Sequence, residues 1–145
     1  MKRNLKSKLL LGMVIVLAMG LSLCACGGGG DAEEPMTIEK YAAENPDFQD
    51  QLDSYSEEDD SVLVTAEGND LVFSYDVAKL GLSEEMAKSD TIKASLDEEL
   101  DKQAETFEST AKTIESTTGV NGVNVVVKYL YGDTEICSRS FNSGE

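Results

Sequence analysis

The residues of this 145-residue chain best suited to chemistry are its three cysteines, Cys24, Cys26 and Cys137. A thiol becomes a good nucleophile when its pKa is lowered, usually by a histidine, a nearby cation or a helix N-terminus. The chain has no histidine, which also excludes His-dependent triads and zinc peptidases. Cys137 falls in an expected strand, so we interpret it as a small packing residue, with an intermolecular disulfide as the alternative. We predict no catalytic residue.

Carboxylates are the other groups capable of chemistry, because 28 Asp and Glu stand against 12 Lys and Arg. The acidic run at 57–60, with Asp50 and Asp53, offers the oxygen ligands that calcium prefers, but it lacks the spacing and the glycine turn of an EF-hand loop. We therefore predict a solvated acidic surface, with no metal and no cofactor. The formal charge of −16 also argues against a nucleic-acid partner, because phosphate binding needs clustered Lys and Arg.

The amino-terminal segment has the pattern of an export signal. Residues 1–8 carry four cations and no acid, and residues 9–23 are 15 uncharged, mostly apolar residues. A permanent membrane helix, the rival interpretation, needs about 20 apolar residues. The four glycines at 27–30 and the acids that follow end the apolar run too early for that, so we favour the export signal.

The end of this segment, Leu23-Cys24-Ala25-Cys26, resembles the lipobox of bacterial lipoprotein precursors. In that pattern a Leu stands three places before the modified Cys and a small residue stands directly before it. Cys26 fits this pattern, because Ala25 stands directly before it and Leu23 stands three places before it. Cys24 does not fit, because the residue directly before it is the bulky Leu23. The resemblance implies that Cys26 receives a diacylglyceryl group and becomes the first residue after cleavage, and two acyl chains anchor a protein stably to a bilayer. An ordinary secretory signal is the alternative.

These features divide the chain into three parts. We assign residues 1–25 to a lipoprotein signal peptide, residues 26–36 to the lipidated Cys26 and a flexible Gly/acidic tether, and residues 37–145 to a single domain. After cleavage, eight cations stand against 28 acids. Such a chain repels anionic lipid headgroups, so we expect the domain to stand away from the membrane.

Helical signals occur in two places. The first covers residues 37–44 with Thr37 as N-cap, and Asn45-Pro46 interrupts it and begins a second piece. The second covers residues 90–115, begins at Ser89 or Asp90 and ends near Gly119. Its apolar residues recur every 3 or 4 positions at Ile92, Leu96, Leu100, Ala104, Phe107, Ala111 and Ile114. A core-facing helix is favoured over a dimeric coiled coil, because the stripe is short and weakened by alanine.

Two hairpins complete the pattern. The first hairpin consists of residues 62–66 and 71–75, which alternate in polarity on either side of a turn with Gly68. The second consists of residues 123–129 and 135–141, and we expect the last of these runs to be a polar edge strand. We therefore predict an α+β fold, with an N-terminal helix kinked at Pro46, a hairpin, a long amphipathic helix and a second hairpin. The hairpins should form a four-stranded antiparallel sheet with the helices on one face.

The chain also resembles a known kind of protein. The stretches that carry this resemblance are TIEKYAAENPDFQDQLDSY, VTAEGNDLVFSYDV, LDEELDKQAETFESTAKTIE and VNVVVKYLYGDTEI, which cover most of residues 37–137. With the lipobox and glycine spacer before them, they are similar to small lipoproteins of Gram-positive bacteria that carry an uncharacterised domain of about 100 residues. The resemblance implies a Gram-positive host and a location on the cell membrane, facing outside the cytoplasm, and it supplies no catalytic residue.

These observations support three hypotheses for function. We expect a membrane-anchored, non-enzymatic module that binds a peptide, a glycan or another envelope protein through the uncovered sheet face at Val126 and Leu130. An accessory or inhibitory subunit of an envelope complex is the alternative, and a small hydrolase-type enzyme is the third. The aromatic residues available for stacking on a ligand, which have mostly core-like spacing, are Tyr41, Tyr55, Tyr75, Tyr129 and Tyr131.

Overall fold

Residues 35–143, the part of the chain that the computed structural model describes, form four helices and four strands. The helices are Ile38–Glu44 (α1), Pro46–Glu58 (α2), Glu84–Ala87 (α3) and Asp90–Thr118 (α4). The strands are Val62–Glu67 (β1), Asp70–Asp76 (β2), Asn124–Tyr131 (β3) and Thr134–Asn142 (β4). The α+β class is confirmed, and the short helix α3 is an element that the sequence pattern did not predict.

The break between α1 and α2 lies at Asn45-Pro46, as the sequence predicts. Thr37 caps α1, because its Oγ1 accepts a hydrogen bond from the Lys40 N–H at 3.2 Å. Pro46, which has no N–H, is the first residue of α2, where no donor is needed. Asn45 precedes α2, but its side chain donates to the Tyr41 carbonyl at 2.9 Å and so closes α1 instead.

The long helix α4 begins and ends where its caps allow. Ser89 Oγ accepts from the Ile92 N–H at 3.3 Å, and Gly119, with φ of 73°, adopts the left-handed conformation that ends the helix. The predicted stripe is confirmed, because its residues face the core. The buried members are Leu96, Leu100, Phe107, Ala111 and Ile114, and the half-buried ones are Ile92 and Ala104.

The sheet has the strand order β1-β2-β3-β4. The two hairpins are antiparallel, as predicted, but β2 and β3 are parallel to each other. The prediction of a purely antiparallel sheet is therefore wrong. The cause is α4, which returns the chain to the end of the sheet where β2 starts, so that Asn124 opens β3 beside Asp70. A helical crossover between neighbouring strands makes those strands parallel.

The core lies between the sheet and the helices, and side chains from all four strands enter it. Phe107 of α4 stacks on Phe141 of β4, with ring centroids 4.9 Å apart. Tyr75 of β2 stacks on Tyr129 of β3 at 5.4 Å, and Leu52 of α2 is buried in the same cluster. The helices therefore share one face of the sheet, as predicted.

The edge strand β4 contributes more to this core than its polar sequence suggests. Phe141 and Ile136 are both buried. Arg139 forms ion pairs with Asp101 and, at 3.7 Å, with Asp97, both on α4. Ion pairs as well as apolar contacts thus hold this edge strand under the long helix.

Helix contacts also hold the opposite side of the sheet. Glu39 at the start of α1 binds Gly68 in the β1–β2 turn twice, because its N–H donates to the Gly68 carbonyl at 2.9 Å and its carboxylate accepts from the Gly68 N–H at 2.7 Å. Ser56 Oγ of α2 accepts from the Val64 N–H at 3.2 Å. The first strand is therefore fixed to both amino-terminal helices.

Replacing Phe107 with Ala should lower the free energy of unfolding by about 3–5 kcal/mol, because it removes a buried ring that stacks on Phe141. Leu63 on β1 is 54 % exposed and lies outside the core, so Leu63→Ala should cost about 0.5 kcal/mol or less. Urea unfolding followed by circular dichroism measures both. Equal losses in the two variants would contradict the assignment of Leu63 to a surface outside the core.

Candidate functional site

The predicted site residues form two groups, the lipobox at 23–26 and the pair Val126 and Leu130, and the structure describes only the second group. The lipobox at 23–26 lies outside residues 35–143, so lipidation of Cys26 stays a prediction. Val126 and Leu130 lie on β3, where they alternate with the buried residues that face the helices. Both are half-buried, and neither belongs to the core. They therefore lie on the sheet face that no helix of the described residues covers.

We call this face the open face, and the strand register arranges it in four rows that cross the sheet. The two middle rows are Thr65, Val72, Val126 and Ser140, and Leu63, Ser74, Lys128 and Ser138. The two end rows are Glu67, Asp70, Asn124 and Asn142, and Asp76, Leu130 and Glu135. Side chains in neighbouring positions of a row are about 5 Å apart, so each row is a contiguous strip of surface.

Apolar side chains lie at the centre of the open face. Val72 is only 3 % exposed although it lies outside the core, and it sits in register between Thr65 and Val126. Leu63, one row away, is 54 % exposed. A partner placed here would remove more of the Leu63 surface from water than of the Val72 surface, and each 100 Å² of apolar surface buried contributes about 2.5 kcal/mol.

One lysine lies beside this apolar centre. Lys128 is half-buried and in register between Ser74 and Ser138, and it is the only cation among the described residues of the open face. It forms no ion pair with any residue of the range 35–143. The hydroxyl of Ser138 donates to the Glu135 carboxylate at 2.8 Å, so that carboxylate is engaged away from the lysine.

The acids of the open face are confined to its end rows. Asp70 accepts a hydrogen bond from the Asn124 side-chain amide at 2.8 Å. Asp76 accepts from the Ala78 N–H at 3.0 Å, and Glu135 lies in the same row as Asp76. The face thus has an acid-free centre with one positive charge and two negative borders.

The outer side of α4 carries exposed acids, among them Glu98, Glu105 and Glu108. Lys102 pairs with Glu98 at 2.9 Å and with Glu99 at 3.1 Å, and these hydrogen bonds raise the pKa of Lys102. Within the range 35–143, no three His, Cys, Asp or Glu side chains come together in a group able to hold a metal ion. Over the same residues, no helix is both long enough and apolar enough to cross a membrane.

Cys137 is half-buried on the side of β4 that faces α4. Burial, followed by the negative charges of Asp97 and Glu135, raises the pKa of Cys137 to about 11, and the nearby Arg139 and Lys93 oppose this shift only in part. The thiol is therefore protonated at neutral pH, which is the opposite of what a nucleophilic cysteine requires.

The tyrosines also face the core and not the open face. Tyr75 and Tyr129 are buried, and burial raises the pKa of both hydroxyls. Tyr41, Tyr55 and Tyr131 are half-buried and pack against the same core. The four rows of the open face contain no aromatic side chain, so this surface has no platform on which a sugar ring could stack.

Sequence comparison places this architecture in a family. The profile of a domain of unknown function, DUF4854, matches residues 38–141, from the first residue of α1 to the penultimate residue of β4. The chain belongs to the DUF4854 family. No curated protein and no solved structure matches it significantly. The DUF4854 match confirms the expected uncharacterised domain of about 100 residues.

Three residues of the open face in this DUF4854 domain were not singled out by sequence reasoning: Leu63, Val72 and Lys128. The alternation of β3 already placed Lys128 on the same face as Val126. Val72 and Leu63 could not be joined to them, because the parallel pairing of β2 with β3 decides which side chains are neighbours.

The raised pKa of Cys137 predicts slow alkylation. At pH 8 iodoacetamide should modify Cys137 about 100-fold more slowly in the folded protein than in urea, because the reactive thiolate is that much scarcer. The rate should still rise between pH 9 and 10, where an ordinary cysteine levels off. Mass spectrometry of the peptide that contains Cys137 measures the rate separately from the other two cysteines. A plateau near pH 9 in the folded protein would contradict this.

Proposed function

We propose that the protein is an extracytoplasmic lipoprotein of a Gram-positive bacterium, anchored by a diacylglyceryl group on Cys26. Residues 1–25 are the signal peptide, 26–36 the tether and 37–145 the domain. We further propose that the DUF4854 domain is a non-enzymatic module that binds a partner through the open face. The fit of residues 23–26 to a lipobox supports the first proposal, and the side chains of the open face support the second.

The observation that carries the binding proposal is the absence of acids from the two middle rows of the open face. Residues 35–143 contain 24 Asp and Glu against eight Lys and Arg, and acids occur on all four helices and on β1, β2 and β4. The middle rows instead hold Leu63, Val72, Val126 and Lys128. Leu63 is exposed and Val126 is half-buried, and exposed apolar side chains that are rimmed by polar residues are typical of a protein interaction site.

The properties of the thiol favour binding over catalysis. A hydrolase built on Cys137 would need a thiolate at neutral pH, and burial together with neighbouring acids holds this thiol in its protonated form. The chain also has no histidine to act as its general base.

The anchor is tested by fatty-acid labelling of cells that express the full chain. Cys26→Ser should abolish incorporation of a labelled fatty acid, because a hydroxyl cannot form the thioether. Cys24→Ser is the matched control and should keep the label. Loss of label in Cys24→Ser alone, or retention in Cys26→Ser, would overturn the assignment of Cys26.

The binding surface is tested by placing a new charge on either side of the domain. Leu63→Asp and Val126→Asp should each reduce recovery of envelope proteins on the tagged full chain by about tenfold, because an unpaired carboxylate would be buried at the contact. Thr113→Asp, on the exposed side of α4, changes the charge equally and should leave recovery unchanged. Far-UV circular dichroism confirms that each variant is folded. Equal recovery by all three variants would refute binding at the open face.

A further inference from the structure

We infer that the open face receives an amphipathic helix of another protein, and that this helix places one carboxylate against Lys128 within its apolar stripe. The inference rests on the proposed function and specifies the partner. Three observations support it. Lys128 is unpaired within residues 35–143, acids lie at both ends of the open face, and no helix of the described residues covers that face.

The charge of Lys128 is not neutralised by any residue of the range 35–143. The residue is half-buried and in register between Ser74 and Ser138, and no carboxylate of the described residues pairs with it. Covering Lys128 with a purely apolar surface would bury an unpaired charge, which is strongly unfavourable. A partner that covers Leu63 and Val126 must therefore also bring an acid to Lys128.

The borders of the open face limit what that partner can be. A polyanion or an anionic lipid surface would meet a single cation between Asp70 and Asp76, in a domain whose other surfaces are acidic. A glycan would find no aromatic side chain in the four rows. The open face offers one lysine, apolar side chains beside it and acids in its two end rows. A polypeptide with a single carboxylate flanked by apolar groups, and with cations further out, complements all three.

A second copy of this chain fits the surface less well. Each copy brings 24 acids against eight cations over residues 35–143, so two open faces would oppose their acidic borders. The apolar centre of one copy would also bring a second unpaired Lys128 into the contact. Like charges that face each other destabilise an interface, so a different chain is the favoured partner.

The form of the partner follows from the layers of the fold. A sheet buries a face against helices or against another sheet, and helices already cover the opposite face here. From β1 to β4 the open face is about 14 Å wide, because strands lie about 4.8 Å apart. A helix of about ten residues spans that distance, and its i and i+4 positions can alternate apolar side chains with one acid. An extended peptide would pair with a sheet edge and not with a face.

Carbodiimide cross-linking tests the contact directly, because it joins a lysine amine to a carboxylate that already touches it. Cells that express the tagged full chain are treated with the carbodiimide, and mass spectrometry locates the resulting amide bonds. We expect an amide between Lys128 and an Asp or Glu of another protein, in a segment with apolar residues three and four positions away. An amide that joins Lys128 to a peptide of this same chain from a second copy would overturn the inference, as would amides formed only through other lysines.

Three variants separate the possible outcomes. Lys128→Arg keeps the charge but forms no stable amide, so it should lose the cross-link and still recover the partner. Lys128→Glu should lower recovery about tenfold, whereas Lys112→Glu on the exposed side of α4 should not. Exchanging the identified partner acid for Lys should restore binding to Lys128→Glu.

The outcomes also distinguish this inference from the proposed function. Undiminished recovery by Leu63→Asp and Val126→Asp would refute binding at the open face altogether. Reduced recovery by those two variants with undiminished recovery by Lys128→Glu would leave the binding face standing and refute the carboxylate contact.

Discussion

The direction in which α4 returns the chain is the constraint on which the rest of this fold depends. Because the helix carries the chain back to the end where β2 begins, β3 must run parallel to β2. Strands β2 and β3 thereby become the interior of the sheet, and their hairpin partners β1 and β4 become its edges. The same arrangement puts all the helices on one face, which leaves Val72 and Val126 as neighbours on the other.

Except for the short helix α3, periodicity was sufficient to predict whether each segment forms a helix or a strand, but not which distant segments pair. The apolar stripe of α4 and the alternation of the strands are local patterns, and their predictions were confirmed. The pairing of β2 with β3 joins Asp70 to Asn124, which are 54 positions apart, and no local pattern encodes that contact. Composition likewise showed that acids dominate the chain, but their exclusion from the centre of the open face depends on the register and could not be read from a single strand.

Cations on the two sides of the domain differ in whether they are paired. On the helical side, Lys102 pairs with Glu98 and Glu99, and Arg139 pairs with Asp97 and Asp101. On the open face, Lys128 forms no ion pair with any residue of the range 35–143. This difference between the paired Lys102 and the unpaired Lys128 supports the proposal that the open face is the binding surface.

The double hydrogen bond between Glu39 and Gly68 has a mechanical consequence. A force applied to the chain ahead of Pro35 enters the domain at α1 and reaches the β1–β2 turn through these two bonds. By contrast, β4 is attached to α4 through the ion pairs of Arg139. The β1–β2 turn is therefore one point at which tension from the amino-terminal side reaches the sheet.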